Sequence, residues 1–335
     1  MSDGDYKIDL FKPDDAPGVA QLFSAVYGAG YPVKIVYNPE QLVAAFQNNE
    51  YIPVLARTPD NRIVGFTSLY RSAPHKGVYE AGLSLVLPEY RNTLIYGLMS
   101  RRIKKTAPAV PGLDVIFVEA VCNHTLAQEA GIVFKQIETA IEIDLMPVEA
   151  YERENAAPGR VSTLAMFGTI VPKPHVVYVS EDYEEYFHYV YDGFDDSRTV
   201  TSSTNGLPSA EVTELATQVF DFAQLARVTV HRVGADFETV FNAEENRIGN
   251  MHCTIIQVWL KLTWPWIGEV IGILRNRGFF LGGILPRWFD EDGFLLQKVC
   301  GRPNWEGINL YSDRAKQILR FIKNDWERTR TDIPC

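Results

Sequence analysis

Apolar positions in residues 1–146 switch repeatedly between a period of two and a period near 3.6. Residues 6–10 alternate and predict a short strand. Val19, Leu22, Phe23 and Val26, behind Asp14 and Asp15, predict a helix. Pro39 opens a second helix through Leu42, Val43 and Phe46, since proline suits a first helical turn. Residues 52–57 and 63–70 flank the turn chemistry of 58–62 and predict a hairpin. Residues 78–87 are nearly all apolar, which predicts a strand buried on both faces, and Pro88 stops it because proline cannot donate to a ladder. A helix over 91–105 follows, with Leu94, Ile95, Leu98, Met99 and Ile103 on one face and Arg101, Arg102, Lys104 and Lys105 complementing its C-terminal dipole. Then come a buried strand at 115–121, a short helix at 124–130 and a long strand at 134–145. In that long strand Ile137, Ile141, Ile143 and Leu145 alternate with Glu138, Glu142 and Asp144, which predicts one solvated face.

Residues 148–160 lose all periodicity to charge, proline and glycine and read as a linker. Up to about residue 225 the pattern is weak, with a helix at 181–191 and a Ser/Thr-rich loop at 195–206 as its clearest features. Strands at 227–233, 254–262, 279–285 and 294–299 follow, with helices near 236–245, 266–275 and a last one capped by Ser312 or Asp313. The order strand, helix, Gly131 and long strand in the first half recurs as strand, helix, Gly278 and strand in the second, a partial internal echo.

Composition narrows the class. The chain has 335 residues, 46% hydrophobic and 22% charged, which suits a soluble two-domain protein and excludes collagen-like or wholly disordered chains. No apolar run is long enough for a membrane helix, and the acidic first residues lack a signal-peptide pattern, so a cytoplasmic protein without a membrane partner is expected. With 32 Lys and Arg against 42 Asp and Glu, nucleic acid is not an expected partner. Cys122, Cys253, Cys300 and Cys335 are widely spaced and read as reduced thiols, and neither they nor the histidines show metal-ligand spacing, so no metal is expected.

The most informative stretch runs from Ala81 to Met99, where a buried strand passes through a short turn into a helix N-terminus. Such an N-terminus offers free amides and a positive dipole end to a pyrophosphate. Val86, Pro88, Tyr90, Arg91, Ile95 and Met99 stand in register with the acyl-CoA motif of the GNAT acyltransferase superfamily, which this segment resembles. The element order over residues 5–146 is similar to that fold as well. The resemblance implies an α/β architecture of two GNAT-like acyl-CoA N-acyltransferase domains, each a mixed, largely antiparallel sheet flanked by helices. The first would span 1–147, the linker 148–160, and a second domain without a phosphate loop 161–335. The backbone of Leu85, Val86 and Leu87 would pair with the pantetheine arm of acetyl-CoA or another acyl-CoA. The amides of Arg91, Asn92, Thr93, Leu94, Ile95 and Tyr96 would hold its phosphates. The family usually has small residues at Asn92, Leu94 and Tyr96, so bulk there could reshape the loop.

Acyl transfer to an amine needs a base and a group that protonates the departing thiolate. Glu80 and Glu119, on apolar strands, are candidate bases, with an arginine-paired or solvated carboxylate as the plain alternative. The resemblance implies a tyrosine acid four residues before Gly131, where this chain has Ala127. His124 and Gln128 are instead spaced i, i+4, and His124 is either a catalytic base or a helix cap. Tyr79, Tyr90 and Tyr96 are alternative acids among which nothing selects. The aromatic group Trp259, Trp264, Trp266, Phe279, Phe280 and Trp288 reads as core, or as an apolar acceptor pocket. The expected function is acyl-CoA-dependent N-acyltransfer to a small-molecule or peptide amine, with a homodimer allowed for. The alternative is a non-catalytic sensor or interaction module on the same fold.

Overall fold

The computed structural model describes residues 6–91, 93–147, 159–204 and 206–330. The expected linker at 148–160 lies outside these residues except for Gly159 and Arg160, and so does Asn92. Two compact units emerge, Met1–Val118 with Thr169–Val171 and Glu119–Gly168 with Pro172–Cys335. Among the described residues no helix is long and apolar enough to cross a membrane.

In the first unit β1 (Lys7–Leu10), β2 (Tyr51–Arg57), β3 (Ile63–Tyr70) and β4 (Val78–Val86) form an antiparallel run, and the start of β5 (Val115–Val121) joins β4 in parallel. Helices α1 (Ala16–Tyr27) and α2 (Pro39–Gln47) follow β1, and α3 (Ile95–Thr106) is the crossover from β4 to β5. Pro39 occupies the first turn of α2, and the Asn38 side chain caps it by accepting from the Gln41 amide. Phe23 of α1 meets Phe66 of β3 edge to face at 5.2 Å, inside one core that also takes Ile95, Met99 and Ile103 of α3. Arg57 closes the entry to α1 with two hydrogen bonds to the Asp15 carboxylate, at 2.9 and 3.0 Å. The helix expected from residue 91 begins only at Ile95, because residues before it form a turn.

The second unit carries the end of β5, α4 (Leu126–Val133), β6 (Ile137–Met146) and β7 (Val161–Thr169). After β8 (His175–Val179), α5 (Glu184–Asp192) and β9 (Arg198–Ser202) come β10 (Glu214–Phe220), β11 (Leu225–Arg232), α6 (Phe237–Gly249) and β12 (Ile255–Lys261). It ends with α7 (Ile267–Arg275), β13 (Phe280–Leu285), β14 (Gly293–Val299) and α8 (Asp313–Thr329). The strand order is β7-β6-β13-β14-β12-β11-β10, with β11 and β12 parallel and the other adjacent pairs antiparallel. The region expected as a Ser/Thr loop contains β9, which pairs in parallel with β8. Its short alternation is hidden because the partner strand lies more than twenty residues upstream. Arg198 of β9 and the Tyr191 hydroxyl converge on the fully buried Asp292 carboxylate at 2.8–3.0 Å. Burial alone would raise that carboxyl, but hydrogen bonds with His175 and Arg198 hold it far below its ordinary range.

The solvated face expected for β6 is absent, since Glu138, Glu142 and Asp144 are all buried. Each carboxylate has found polar partners instead of water. Glu138 accepts from Ser312, Glu142 from Thr163 and Gln257, and Asp144 from the Asn304 amide. β6 meets β13 at a single paired position, Gly283 opposite Ala140. Gly283 has φ +141°, and a Cβ there would fall 2.5 Å from Ala140, so only glycine fits. Around that point the backbone is satisfied by side chains. Gln297, fully buried, donates to the Ile141 and Leu281 carbonyls at 3.0 Å and accepts from the Ile143 amide at 2.8 Å. Cys122 and Cys253 are buried free thiols, and Cys335 lies outside the described residues.

Two stability predictions follow from these contacts. Gln297→Leu should cost about 3 kcal/mol in denaturant unfolding, because it strands two buried carbonyls and an amide. An unchanged midpoint would mean that Gln297 is not structural. Burial pushes the Asp144 carboxyl up to about 6, against the pull of the Asn304 amide and Arg160. A raised carboxyl favours the folded state while protonated and burdens it once ionised, so its contribution is lost as pH rises through about 6. Asp144 sits at φ +54°, a conformation asparagine tolerates. Asp144→Asn should therefore be near neutral around pH 4 and stabilising by about 2–3 kcal/mol above pH 7, measured as urea midpoints across that range.

Candidate functional site

β4 departs from its neighbours along its length. Its parallel ladder with β5 covers only Val78–Glu80 against Val115–Phe117, although β4 runs on to Val86. On the β3 side the register slips between Phe66 and Ser68, so that Leu83 and Ser84 together oppose Thr67. This is a β-bulge, with Leu83 at φ +54°. The buried Thr67 hydroxyl fills it, contacting the Gly82 carbonyl at 3.3 Å and the Ser84 hydroxyl at 2.9 Å. Past the bulge the Leu87 amide bonds to the Val64 carbonyl. By the alternation of an antiparallel ladder, Val86 then points its N–H and C=O away from β3. The Arg91 guanidinium reaches that Val86 carbonyl at 3.4 Å. Leu85 and Leu87 bury their side chains.

The loop beyond β4 uses part of its own backbone. The Arg91 amide bonds to Pro88 and the Thr93 amide to Tyr90, while the Thr93 hydroxyl accepts from the Ile95 amide at 3.3 Å. Leu98 makes the first intrahelical bond of α3, back to Leu94. The amides of Tyr96 and Gly97 are thus the ones in the first turn that the helix cannot satisfy from within. Gly97 was not among the expected residues, and a Cβ there would meet nothing within 4 Å. The Leu94 and Tyr96 side chains turn outward, 59% and 41% exposed, while Ile95 is fully buried.

Glu80 lies on β4 opposite Tyr70 of β3, and Tyr70 stacks on Tyr51 of β2 with centroids 5.5 Å apart. Its carboxylate accepts from the Ser72 hydroxyl at 2.8 Å. Burial, helped by the charges of Glu80 and Glu50, holds the Tyr51 hydroxyl above its ordinary range. Tyr79 points to the other face and donates to the Asn49 carbonyl at 2.6 Å, which commits its proton.

Glu119 and His124 belong to the second unit. Glu119 stands 3.9 Å from Arg227 of β11, the arginine-paired arrangement. His124 precedes α4, which starts at Leu126, and its Nδ1 is buried without a hydrogen-bond partner among the described residues. Gln128 is a cross-link, donating to the Val121, His124 and Asn309 carbonyls and accepting from the Tyr311 amide. Trp259 and Trp288 pack edge to face at 5.1 Å, and Phe279 and Phe280 are core. A lone arginine in a strand carries no spacing signal, so the sequence does not single out Arg227. It hydrogen-bonds Gln257 and Glu142 and lies between the Phe220 and Trp259 rings.

The loop that leads into α6, the helix in the second unit that follows a parallel-paired strand, spends its own amides: Gly234 donates to the Thr213 hydroxyl and Ala235 to the Pro208 carbonyl, while the Asp236 carboxylate accepts from the Thr213 amide. Within the helix the Phe237 amide donates to the Gly234 carbonyl and the Val240 amide to the Asp236 carbonyl.

The bulge is testable on its own. Thr67→Val keeps the volume but removes the hydrogen bonds to the exposed Ser84 hydroxyl and the half-buried Gly82 carbonyl, so thermal unfolding should register a loss of about 1 kcal/mol. A neutral result would show that the hydroxyl does not hold the bulge.

No protein-family model matches the sequence, and no curated protein matches it. Solved structures similar to about half of the chain include acetyltransferases. They include a putative acetyltransferase, yncA, from Salmonella typhimurium with its cofactor acetyl-CoA (13% identity, TM-score 0.40, 51% of this chain and 96% of that one). An N-acetyltransferase from Staphylococcus aureus is 11% identical, with TM-score 0.40 over 50% of this chain and 99% of that one. The spermidine/spermine N-acetyltransferase SpeG of Vibrio cholerae is 10% identical, with TM-score 0.39 over 49% and 95%. At these values they fix neither an activity nor an acceptor for this chain.

Proposed function

We propose that the chain is an acyl-CoA-dependent N-acyltransferase whose first unit binds the acyl donor. One observation carries this reading: β4 leaves its parallel partner after Glu80 and runs past a bulge into a helix whose Tyr96 and Gly97 amides have no hydrogen-bond partner among the described residues. An open strand edge accepts an extended chain bearing amide groups, and a helix N-terminus accepts phosphate, so the two in series suit a pantetheine arm ending in a pyrophosphate. The Val86 backbone and the Tyr96 and Gly97 amides would hold it, with Arg91 adjoining the Val86 carbonyl.

A bound acyl-CoA supplies a thioester activated toward amines. Glu80 takes one proton from the acceptor ammonium, and Ser72 steadies its carboxylate. The neutral nitrogen then forms the new C–N bond as the C–S bond breaks, and its second proton leaves with the thiol. Acetyl is the acyl group to test first. Glu119 and His124 remain candidate bases of this reading. The division into a domain at 1–147, a linker at 148–160 and a second GNAT-like domain at 161–335 belongs to the proposal too. It draws support from two successive parallel crossovers, β4–α3–β5 and β11–α6–β12. The second reading, a non-catalytic sensor on the same fold, is favoured by the bulk of Leu94 and Tyr96 at the loop and by Ala127 where the family has tyrosine.

Thermal unfolding with acetyl-CoA, against an adenosine control, tests the donor site. Saturation near 100 times the dissociation constant should add about 2.7 kcal/mol. Glu80→Gln should keep that shift while lowering amine-dependent thiol release about 100-fold. No shift at millimolar acetyl-CoA would overturn the acetyltransferase reading, and full activity in Glu80→Gln would remove Glu80 as the base.

A further inference from the structure

Two buried oxygens in the second unit are left unused by the fold and line one cavity. Asp144, near the end of β6, is 4% exposed. Its Oδ2 accepts from the Asn304 amide at 3.0 Å, and its Oδ1 is buried with no hydrogen-bond partner among the described residues. Thr254, just before β12, spends its amide on the Gln224 carbonyl and its carbonyl on the Cys300 amide. Its Oγ1 is likewise buried without a partner among the described residues. Both residues line a cavity of about 430 Å³ whose apolar walls are Ile255, Val299 and Pro303. Arg160 lines it too, but its guanidinium is committed to the Asp144, Leu145 and Ala223 carbonyls at 2.6, 3.0 and 2.6 Å. At the exposed side Arg302 and Glu306 pair with each other at 3.3 Å. A buried carboxylate oxygen and a buried hydroxyl without partners each carry a desolvation penalty, which the polar atoms of a ligand would relieve.

We propose that this cavity binds a neutral molecule through a lactam edge, an N–H beside a C=O, of the kind that nucleobases and other cyclic amides carry. The N–H donates to Asp144 Oδ1 and the C=O accepts from the Thr254 hydroxyl, so one edge satisfies both oxygens. The lining charges select against ions. Asp144 and Glu306 cancel Arg160 and Arg302, which leaves no net charge to attract one. A cation on Asp144 would share the cavity with the Arg160 guanidinium, and an anion would face the Asp144 carboxylate. The apolar walls suit the faces of a flat ring, and the volume is that of a small-molecule site. The acceptor is also held in place before any ligand arrives. The Asp144 amide donates to Ser162 Oγ at 2.9 Å and its carbonyl accepts from Arg160, which fixes the backbone that carries the carboxylate. This site goes beyond the acyltransferase reading and does not depend on it.

The test is calorimetric titration of the full chain at about pH 8, where the Asp144 carboxyl, pushed up to about 6 by burial, is ionised. The probes are 2-pyridone, uracil and hypoxanthine, each with the form methylated at its lactam nitrogens, and methylammonium and acetate as charged controls. At least one lactam should bind, and methylating its nitrogen should weaken binding about tenfold or more. Asp144→Asn keeps a carbonyl oxygen on the Asn304 amide and puts an NH2 group where the open acceptor was. It should lower the affinity about tenfold or more in a chain that stays folded. Thr254→Val removes the donor and should weaken the same lactam. A merely structural role for either residue would move the urea midpoint and leave the affinity unchanged. Binding by none of the lactams, equal binding by the methylated forms, or tighter binding by methylammonium or acetate overturns the inference. If a variant does not fold, the methylated series on the unmodified chain still decides it.

Discussion

A strand that parts from its neighbour leaves amides and carbonyls that must find another partner, and this chain answers that constraint in two ways. Where β6 meets β13 at one position, buried side chains take over the ladder. Gln297 bridges Ile141, Ile143 and Leu281, and Thr139 donates to the Ile284 carbonyl at 2.7 Å. The Tyr186 hydroxyl joins both strands by donating to the Thr139 carbonyl and accepting from the Ile284 amide. Where β4 outruns its ladder with β5, the Val86 backbone is turned outward instead and the strand leads to an open helix N-terminus. The first arrangement is a closed core, and the second leaves the strand's own polar groups facing away from its neighbour.

Most elements were legible from periodicity alone, including the hairpin of β2 and β3, the crossover helix and Ser312 as the cap of α8, whose hydroxyl accepts from the Ala315 amide. Local patterns fail where partners are remote. Glu138, Glu142 and Asp144 alternate with apolar residues as a solvated edge would, yet their partners Ser312, Gln257 and Asn304 lie more than a hundred residues away. β9 was lost within polar sequence for the same reason, since it is stabilised by β8 and by the Arg198 contact with Asp292.

The sequence by itself determined the alternation of strands and helices, the turn after Pro88 from a buried strand into a helix, and the carboxylate at Glu80. Periodicity and turn chemistry are local and carry that information. Only the tertiary structure decided that the ladder stops at Glu80, that Leu83 adopts a bulge, and which amides of the loop stay open. It alone joined Arg227 to Glu119, Glu142 and Gln257. Those outcomes depend on which strands meet and where they diverge, and that is a property of register between distant segments rather than of any short stretch of chain.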